Sequence, residues 1–446
     1  MDHSPAYRFR RFLNWFPLGL TYATLYMGRY NFNVVKNDIG AWYHLDKAEM
    51  GIIATAGFWT YGLSVALNGP LADRFGGRKA ILIGAAGGAL MNLLIGLMFL
   101  NGRTTQLLIV MSILWSANMY FQSFGALSVV KVNSTWFHVQ ERGVFGGIFG
   151  IMISSGYFLA TTIGAWILSR FHWTMIWIVP AAAMAVMCGV DYLLVRNRPS
   201  HAGFPDFDTG DGSNAHHAED EPLPLGDLVK KVFHNPVVVA LIFAEFCTGF
   251  VRQGVMLYFT EYLGEVYNLS KKAYLFWSTG IAFMLGGILG GIVCGWMSDK
   301  LFQSRRPPVA FLFYLAQVVM LVLLGFSFGR GTHGGQVWAV ILLGLTAMFI
   351  FGVHGMLSGT ASMDFGGRKA AATVTGALDG IQYVGSGLTG FGLGWVLKTY
   401  GWDGVATHGH VPAHAWVWVG CIIPFSFIGA YIMTRIWHAK AGSAAH

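Results

Sequence analysis

Charged side chains are scarce in this chain of 446 residues: Asp, Glu, Lys and Arg make up 11% of it, whereas 54% is hydrophobic. The mean hydropathy is +0.53. A soluble protein of this length cannot bury so much apolar surface, so the composition predicts a polytopic membrane protein. The apolar runs are about 20 residues or longer, which predicts membrane-spanning helices and excludes the shorter strands of a membrane barrel.

Cysteine is scarce as well, with four residues in the chain, and the sequence lacks enzyme motifs. The four cysteines all lie in apolar segments and lack the spacing of a disulfide framework or a metal site. The sequence contains no phosphate-binding loop and no nucleophile elbow. We therefore expect no enzymatic activity, no cofactor and no bound metal, and we expect that ATP does not drive the protein directly.

Twelve long apolar segments are present, in two groups of six. They lie near 13–36, 48–69, 80–100, 106–130, 143–167, 173–195, 236–262, 273–298, 308–328, 337–360, 370–396 and 414–437. A polar run rich in Gly, Pro, Asp and His separates the groups, and we expect it to be a cytoplasmic linker too hydrophilic to pack. The predicted domains are a six-helix bundle over 1–195, the linker over 196–235 and a second six-helix bundle over 236–446.

The formal net charge of +8 is distributed unevenly along these segments. Of the 29 Lys and Arg residues, 19 fall on one side of the predicted membrane, eight fall on the other, and two lie within spans. Positive side chains collect on the cytoplasmic side of membrane proteins. The bias predicts that both termini are cytoplasmic, in the inner membrane if the source is bacterial. It also accounts for the basic excess without nucleic acid as a partner.

A short loop motif occurs twice. "GPLADRFGGRK" follows the second span and "GWMSDKLFQSRR" follows the eighth. Each copy has a Gly followed by an acid and a base, Asp73 and Arg74 in the first copy and Asp299 and Lys300 in the second, 226 residues apart. Because six spans separate the copies, the halves have the same orientation about an axis along the membrane normal. We expect these four side chains to form gating contacts that break when the halves move.

This motif resembles the G-x-L-A-D-R-x-G-R-K loop of the major facilitator superfamily, with Gly77 where the first basic residue of the family usually stands. The resemblance covers the whole chain. It implies an all-α fold of twelve transmembrane helices in two pseudo-twofold-related six-helix bundles. It also implies a monomer that moves a small solute by alternating access.

Two arginines lie inside predicted spans at matched positions of the two halves. Arg29 and Arg252 are 223 residues apart, close to the offset of the loop motif. Burying an arginine at a helix centre costs about 2.5–3.5 kcal/mol on insertion scales. An anion shared between the two guanidinium groups would offset that cost, because planar guanidinium groups grip phosphate or carboxylate bidentately. The alternative is local pairing, of Arg29 with Asp38 or of Arg252 with Glu245.

The neighbourhood of Arg29 carries a more specific resemblance. Tyr22, Tyr26 and Arg29 form one helical stripe, and "YMGRYNF" is similar to the Y-x-x-R-x-N-F of the organophosphate:phosphate antiporters. Stretches around Arg252 and "GALDGIQYVGSG" are similar to that family as well. The resemblance implies that Arg29 and Arg252 grip phosphate, and that four tyrosines lie near the substrate, namely Tyr22, Tyr26, Tyr61 and Tyr383.

The chain also departs from that family around the same site. Tyr30 stands where a lysine usually follows the first arginine, and Val65, Ile153 and Leu257 replace a lysine, a histidine and an acid. The arginines are kept while the accessory polar residues are lost. This predicts an anionic cargo whose organic part differs from glycerol and is bulkier or more apolar.

Three further ionisable residues lie within predicted spans. Asp379 precedes Tyr383 by one turn, at a position where the family usually has a small residue. It could bind a substrate hydroxyl or amine, carry a coupling proton or pair with Arg252. Glu245 and His354 are candidates for proton coupling, although a lone histidine is more often a hydrogen-bonded packing residue.

These observations predict a secondary transporter of organic anions that exchanges organophosphates for inorganic phosphate. One alternative is a proton-coupled symporter of sugar acids or other carboxylates. A second is a transporter-like receptor for a sugar phosphate, and a lipid or drug exporter is a third that would not need matched arginines. The expected partners are a small anion, inorganic phosphate or a proton, and the lipid bilayer.

Overall fold

The computed structural model describes residues 4–102, 105–138, 151–207, 234–303, 305–405 and 411–439, without the side chains of 70, 73–75, 359–373 and 375. Twelve long helical segments, α1 to α12, run through these residues. They are α1 (Pro5–Tyr43), α2 (Lys47–Phe75), α3 (Gly77–Leu100), α4 (Leu107–Gln122 and Phe124–Trp136), α5 (Ile151–Arg170), α6 (Met175–Leu194), α7 (Pro236–Val266), α8 (Tyr274–Lys300), α9 (Arg306–Phe326), α10 (His333–His354, continued by Gly355–Ala361), α11 (Ser362–Leu388, continued by Thr389–Leu393 and Gly394–Tyr400) and α12 (Trp416–Arg435). Each predicted span overlaps one of these helices, and residues 143–150 of the fifth span lie outside the described part of the chain.

Within the described residues, ten of the twelve helices contain a stretch long and apolar enough to cross a membrane, and α1 and α11 do not. Both carry polar side chains that are buried inside the protein, including Arg29 and Lys36 on α1 and Gln382 and Ser386 on α11. These side chains lower the hydropathy of the two helices without exposing charge to lipid. The two least apolar helices therefore both bring polar groups to the centre of the molecule.

The helix starts follow local capping chemistry. Asp46 caps α2 by accepting hydrogen bonds from the backbone N–H groups of Ala48 and Glu49, and the Glu49 side chain accepts from the Asp46 N–H in return. Asn235 caps α7 in the same manner, and Pro236 occupies the first helical position. Such residues satisfy donors that the first turn leaves unpaired.

The two halves meet along two helix pairs, α2 with α11 and α5 with α8. In the first pair, the Thr55 hydroxyl donates to the carbonyl oxygen of Gly387 at 2.6 Å and accepts from the backbone N–H of Phe391 at 2.9 Å. In the second pair, the Thr162 hydroxyl donates to the carbonyl oxygen of Trp277 at 2.7 Å. These hydrogen bonds hold the inner faces of the halves together on both sides of the centre.

Glycine permits the closest of these approaches. A Cβ on Gly51 of α2 would lie 2.1 Å from the carbonyl oxygen of Gly390, and a Cβ on Gly249 of α7 would lie 1.9 Å from the carbonyl oxygen of Gln382. Any larger residue would push α11 away from both neighbours. Since α11 carries Tyr383, these glycines fix how deeply that tyrosine reaches into the centre.

Among the described residues, four ion pairs of 2.8 Å or less join the halves at one end of the molecule, and we call them the ion-pair layer. They are Lys36–Glu261 at 2.7 Å, Lys47–Glu265 at 2.7 Å, Asp38–Lys271 at 2.8 Å and Asp46–Lys398 at 2.5 Å. In each pair, one partner comes from the first six helices and the other from the last six. This end lies opposite to the N-terminus of α1 and closes the space between the halves.

The start of the predicted linker differs from expectation. The composition of residues 196–235 predicts a linker too hydrophilic to pack, and this prediction is wrong for the first part of the linker. The Asn197 side chain accepts from the backbone N–H of Arg78 at 2.8 Å, and the rings of Phe204 and Phe207 pack edge-on against Tyr7. Two aromatic residues within a polar run are enough to anchor it to α1. Residues 208–233 lie outside the described part of the chain, so the domain boundaries stay a prediction.

The second loop motif has a defined geometry. Asp299 accepts a hydrogen bond from Arg306 at 3.1 Å, and Arg306 also donates to Ser298 at 2.8 Å. Lys300 is exposed. The side chains of Asp73 and Arg74, in the first motif, lie outside the described residues.

Candidate anion-binding site

Arg29 and Arg252 converge on one tyrosine at the centre of the molecule. Arg29 lies on α1 and Arg252 on α7, and each is 1% exposed. The Arg29 guanidinium donates to the Tyr383 hydroxyl at 3.1 Å, and the Arg252 guanidinium lies 5.2 Å from the centre of the Tyr383 ring. The pair that the repeat offset suggested is therefore joined by a tyrosine from α11, with one arginine at its hydroxyl and the other over its ring.

Aromatic rings surround the Arg29 guanidinium. It lies 4.7 Å from the ring centre of Tyr26 and 4.4 Å from that of Tyr61. A desolvated cation over an aromatic face gains about 2 kcal/mol or more, which offsets part of the cost of burial. Gln122 of α4 completes the site, because Arg29 donates to its carbonyl oxygen at 3.3 Å. Arg29 thus has hydrogen-bond acceptors and ring faces as partners, but no anionic partner.

Arg252 has fewer partners than Arg29. Its Nε and Nη2 atoms are buried and have no hydrogen-bond partner. No carboxylate of the described residues lies within 4.0 Å of either arginine. A buried cation without a counter-charge costs several kcal/mol. These donors are therefore available to an anion that enters between the halves.

Neither local ion pair considered from the sequence forms. Asp38 pairs with Lys271 at 2.8 Å instead of Arg29. Glu245 lies 3.6 Å from His354 instead of pairing with Arg252. The physical reason is distance along the helix: Glu245 precedes Arg252 by two turns, about 10.5 Å of helical rise.

The tyrosines of the predicted stripe form a contiguous aromatic wall. Tyr22 packs edge-on against Tyr26 with ring centres 5.1 Å apart, and Tyr61 and Tyr383 lie 4.1 Å apart across the two halves. Tyr30, which replaces the usual lysine, packs against Tyr157 at 4.4 Å. The hydroxyl of Tyr30 accepts from Gln253 at 3.2 Å, so a neutral contact between the halves stands where the family has a cation.

A buried amide network holds α1 in position beside Arg29. Asn31 donates to Asn92 at 2.9 Å, and Asn92 donates to Asn118 at 3.0 Å. Asn118 donates in turn to the carbonyl oxygen of Gly28 at 3.1 Å. Because buried amides cost free energy when unpaired, this network fixes the rotation of α1 and therefore the direction of Arg29.

The predicted intramembrane acids, Glu245 on α7 and Asp379 on α11, both lie in the second half. Glu245 is 0% exposed, and neither carboxylate oxygen has a hydrogen-bond partner. His354 Nδ1 contacts the Gln382 amide at 2.7 Å. Asp379 is half-buried, its Oδ1 atom has no partner, and it forms no ion pair with Arg252 within 4.0 Å.

The sequence did not indicate Gln122, Gln253, Tyr157 or the buried pair Lys36–Glu261. Single amides and tyrosines in apolar runs give no signal of which face they occupy. Lys36 and Glu261 are 225 residues apart, close to the repeat offset, and that spacing was the one available signal. Among the described residues, no group of three or more potential metal ligands occurs.

Comparison with known proteins gives a family and several relatives. The sequence model of the Major Facilitator Superfamily matches residues 18–390. The membrane sensor protein UhpC of Salmonella typhimurium is 28% identical over 398 residues, covering 86% of this chain and 85% of that protein. A probable hexose phosphate transport protein of Chlamydia muridarum is 27% identical, covering 89% and 87%. The glycerol-3-phosphate transporter of Bacillus subtilis is 29% identical, covering 80% of each chain.

Solved structures are similar in fold. A bacterial homolog of the human lysosomal transporter Spinster superposes with a TM-score of 0.67 at 14% identity, covering 97% of this chain and 96% of that one. The nucleoside transporter NupG superposes with a TM-score of 0.63 at 14% identity, covering 95% and 99%. At this identity the likeness establishes the architecture alone.

Proposed function

The chain belongs to the major facilitator superfamily, and on that premise we propose that it exchanges organophosphates for inorganic phosphate across the membrane by alternating access. One observation carries the proposal. Two buried arginines from opposite halves converge on Tyr383, and neither has a carboxylate within reach. Relatives that include a hexose phosphate transport protein and a glycerol-3-phosphate transporter support a phosphate ester as cargo.

The proposed cycle follows from the charges. Without an anion, two guanidinium groups near one another repel, and the low dielectric of the centre strengthens that repulsion. A phosphate group between them replaces repulsion with charge-assisted hydrogen bonds. Closure of the halves around the site is then favoured when cargo is bound and disfavoured when it is not. Such a protein exchanges one anion for another more readily than it moves one alone.

The test is phosphate exchange in proteoliposomes that carry Arg29→Lys or Arg252→Lys. Lysine keeps the charge but loses the bidentate fork, and we expect the loss of a buried charged hydrogen-bonding partner to cost about 2–5 kcal/mol. Exchange should fall by at least about thirtyfold in each variant. The matched control is Arg330→Lys, since Arg330 donates to the carbonyl oxygen of Pro412 far from the centre. Exchange at the wild-type rate in either central variant would contradict the proposal.

The orientation in the membrane is part of the same proposal. The charge bias of the loops supports cytoplasmic termini, and with that orientation the ion-pair layer would lie on the outer side of a bacterial inner membrane. Residues from both halves of one chain build the site, which supports a monomer as the working unit. Labelling of single cysteines at the two ends by an impermeant reagent in intact cells tests the orientation.

A receptor is a second candidate, because one relative is a membrane sensor protein. A receptor would bind a phosphate ester at the arginines without moving it. Ester-induced thermal stabilisation of the wild-type protein, lost in Arg29→Ala, together with no phosphate counterflow, would favour this function.

Proton-coupled symport is a third candidate, favoured by the contact of 3.6 Å between Glu245 and His354. A buried acid next to a histidine can take up and release a proton during a transport cycle. Uptake of a sugar acid driven by a pH gradient without internal phosphate, and lost in Glu245→Gln, would favour it over exchange.

A further inference from the structure

We infer that the cargo is zwitterionic: an aminoalkyl phosphate or phosphonate whose ammonium group pairs with Asp379 while its phosphate group lies between Arg29 and Arg252. The inference rests on the proposed function and names the chemical class of the cargo. It comes from the placement of charges at the centre of the molecule.

Asp379 lies on the face of α11 that looks into the site. It precedes Tyr383 by four residues, so both side chains share one helical face and lie about 6 Å apart along the axis. Tyr383 contacts both arginines, and Asp379 interacts electrostatically with Arg252, Arg29 and Tyr61. The acid is therefore a neighbour of the arginines without being bound to them.

The direction from the arginines to the acid is also defined. Helices α1, α7 and α11 all run toward the ion-pair layer, where Lys36, Glu261 and Lys398 lie. Asp379 comes before Tyr383 on α11, so it lies on the side of the arginines away from that layer. A cargo with its phosphate at the arginines and its organic part toward the N-terminal end of the helices would bring that part to Asp379.

The charge balance favours an ammonium at this position. A phosphate dianion matches the two guanidinium groups and leaves Asp379 as an uncompensated anion close to the phosphate. A neutral organic part would leave that repulsion in place, whereas an ammonium removes it and gains a charge-assisted hydrogen bond. The unpaired Oδ1 atom of Asp379 is a suitable acceptor.

Glu245 strengthens the same preference from a greater distance. It is buried on α7, both of its oxygens lack hydrogen-bond partners, and Asp379 and Arg252 are the charged groups that act on it. With Asp379 it places two acidic side chains at the end of the site away from the ion-pair layer.

The experiment compares two competitors of equal size against labelled phosphate uptake into phosphate-loaded proteoliposomes. O-phosphoethanolamine and propyl phosphate differ only in that a methyl group replaces the ammonium. We expect the half-inhibiting concentration of O-phosphoethanolamine to be lower by about tenfold or more in the wild-type protein. In Asp379→Asn the ratio of the two half-inhibiting concentrations should fall close to one. The control is Asp206→Asn, an exposed residue outside the helices whose carboxylate accepts from the backbone N–H of Ser200, and there the ratio should stay at the wild-type value.

The ratio within one variant does not depend on the absolute exchange rate, so slower exchange by Asp379→Asn leaves the test valid. Equal inhibition by the two esters in the wild-type protein would overturn the inference, as would an unchanged ratio in Asp379→Asn. Absence of phosphate exchange in the wild-type protein would instead contradict the proposed exchange function. In that case thermal stabilisation by the same two esters decides the inference, and equal stabilisation would overturn it.

Discussion

The central arginines and the ion-pair layer place buried charges in opposite ways. Lys36 and Glu261 are each 3% exposed and lie 2.7 Å apart, so each buried charge has its counter-charge in the protein. Arg29 and Arg252 are each 1% exposed, and no carboxylate in the described part of the chain lies within 4.0 Å of either one. Both regions join the two halves, but only in the ion-pair layer is each charge paired with an opposite charge of the protein itself.

This difference assigns different tasks to the two regions. The ion-pair layer has all its charges paired, so it holds its end of the molecule closed whether or not cargo is present. The pairs must break before that end can open. Arg29 and Arg252 lack a counter-charge, so closure of the two halves around the centre depends on a bound anion. We expect substitutions in the layer to change which end is open, and substitutions at the centre to change what is bound.

The largest expected effect in the layer comes from Lys36→Met. Removing one partner of a buried pair leaves the other charge uncompensated, which costs about 3–5 kcal/mol in the closed arrangement. We expect the end that carries the layer to open. The reporter is a cysteine at Val255, buried on α7, in a background without the four native cysteines. Its labelling by an impermeant maleimide should accelerate by about a hundredfold.

The control is the double variant with Lys36→Met and Glu261→Met. It leaves neither charge buried, and apolar replacement of a whole buried pair is often close to neutral. Labelling should therefore return toward the wild-type rate. Equal labelling of the single and double variants would show that the pair is not what keeps this end closed.

Much of the architecture could be predicted from the sequence, because membrane-spanning helices leave long apolar runs. Twelve helices, two halves and the matched positions of Arg29 and Arg252 all follow from run length and the repeat offset. Packing of the linker could not be predicted from composition, because Phe204 and Phe207 are two apolar residues in a polar run.

The partners of the arginines could not be predicted either. The sequence offered a shared anion or a local pair with Glu245 as partners of Arg252, but the structure places the Tyr383 ring of α11 beside its guanidinium group. The close approach of α11 depends on Gly249 and Gly51, and sequence alone does not specify which backbone those glycines face. Patterns of residues along one helix do not specify its contacts with helices that are distant in sequence.

A smaller effect is expected for Tyr383→Phe at the centre. The change removes the hydroxyl that accepts from Arg29 at 3.1 Å and keeps the ring over which Arg252 lies. A hydrogen bond to a charged group contributes about 1.5–3 kcal/mol. Phosphate exchange in proteoliposomes should fall by about tenfold to about a hundredfold. Tyr400→Phe, at an exposed position of α11, is the control, and a Tyr383→Phe protein that matches it would exclude a role for the hydroxyl.

The smallest effect is expected at the exposed pair of the layer, Asp46 with Lys398. Exposed pairs contribute little because water screens them, so Lys398→Met should raise labelling of the Val255 reporter by less than about fivefold. A hundredfold increase would show that the whole layer acts as one unit and that burial does not set the importance of each pair.

The contribution of the Asp46–Lys398 pair to closure should depend on pH. Burial raises the pKa of the Asp46 carboxyl, but Lys398 and the backbone N–H groups of Glu49 and Ala48 lower it by more.

A carboxyl whose pKa is lowered in the closed arrangement stabilises that arrangement at neutral pH. The contribution is present above the ordinary carboxyl pKa and is lost as the pH falls through the lowered value. Acidification through that range should therefore accelerate labelling of the wild-type reporter protein. In Lys398→Met the acceleration should be smaller, because the largest of the interactions that lower the pKa is gone. An equal acid response in both proteins would show that the Asp46–Lys398 pair does not set the pH dependence of the layer.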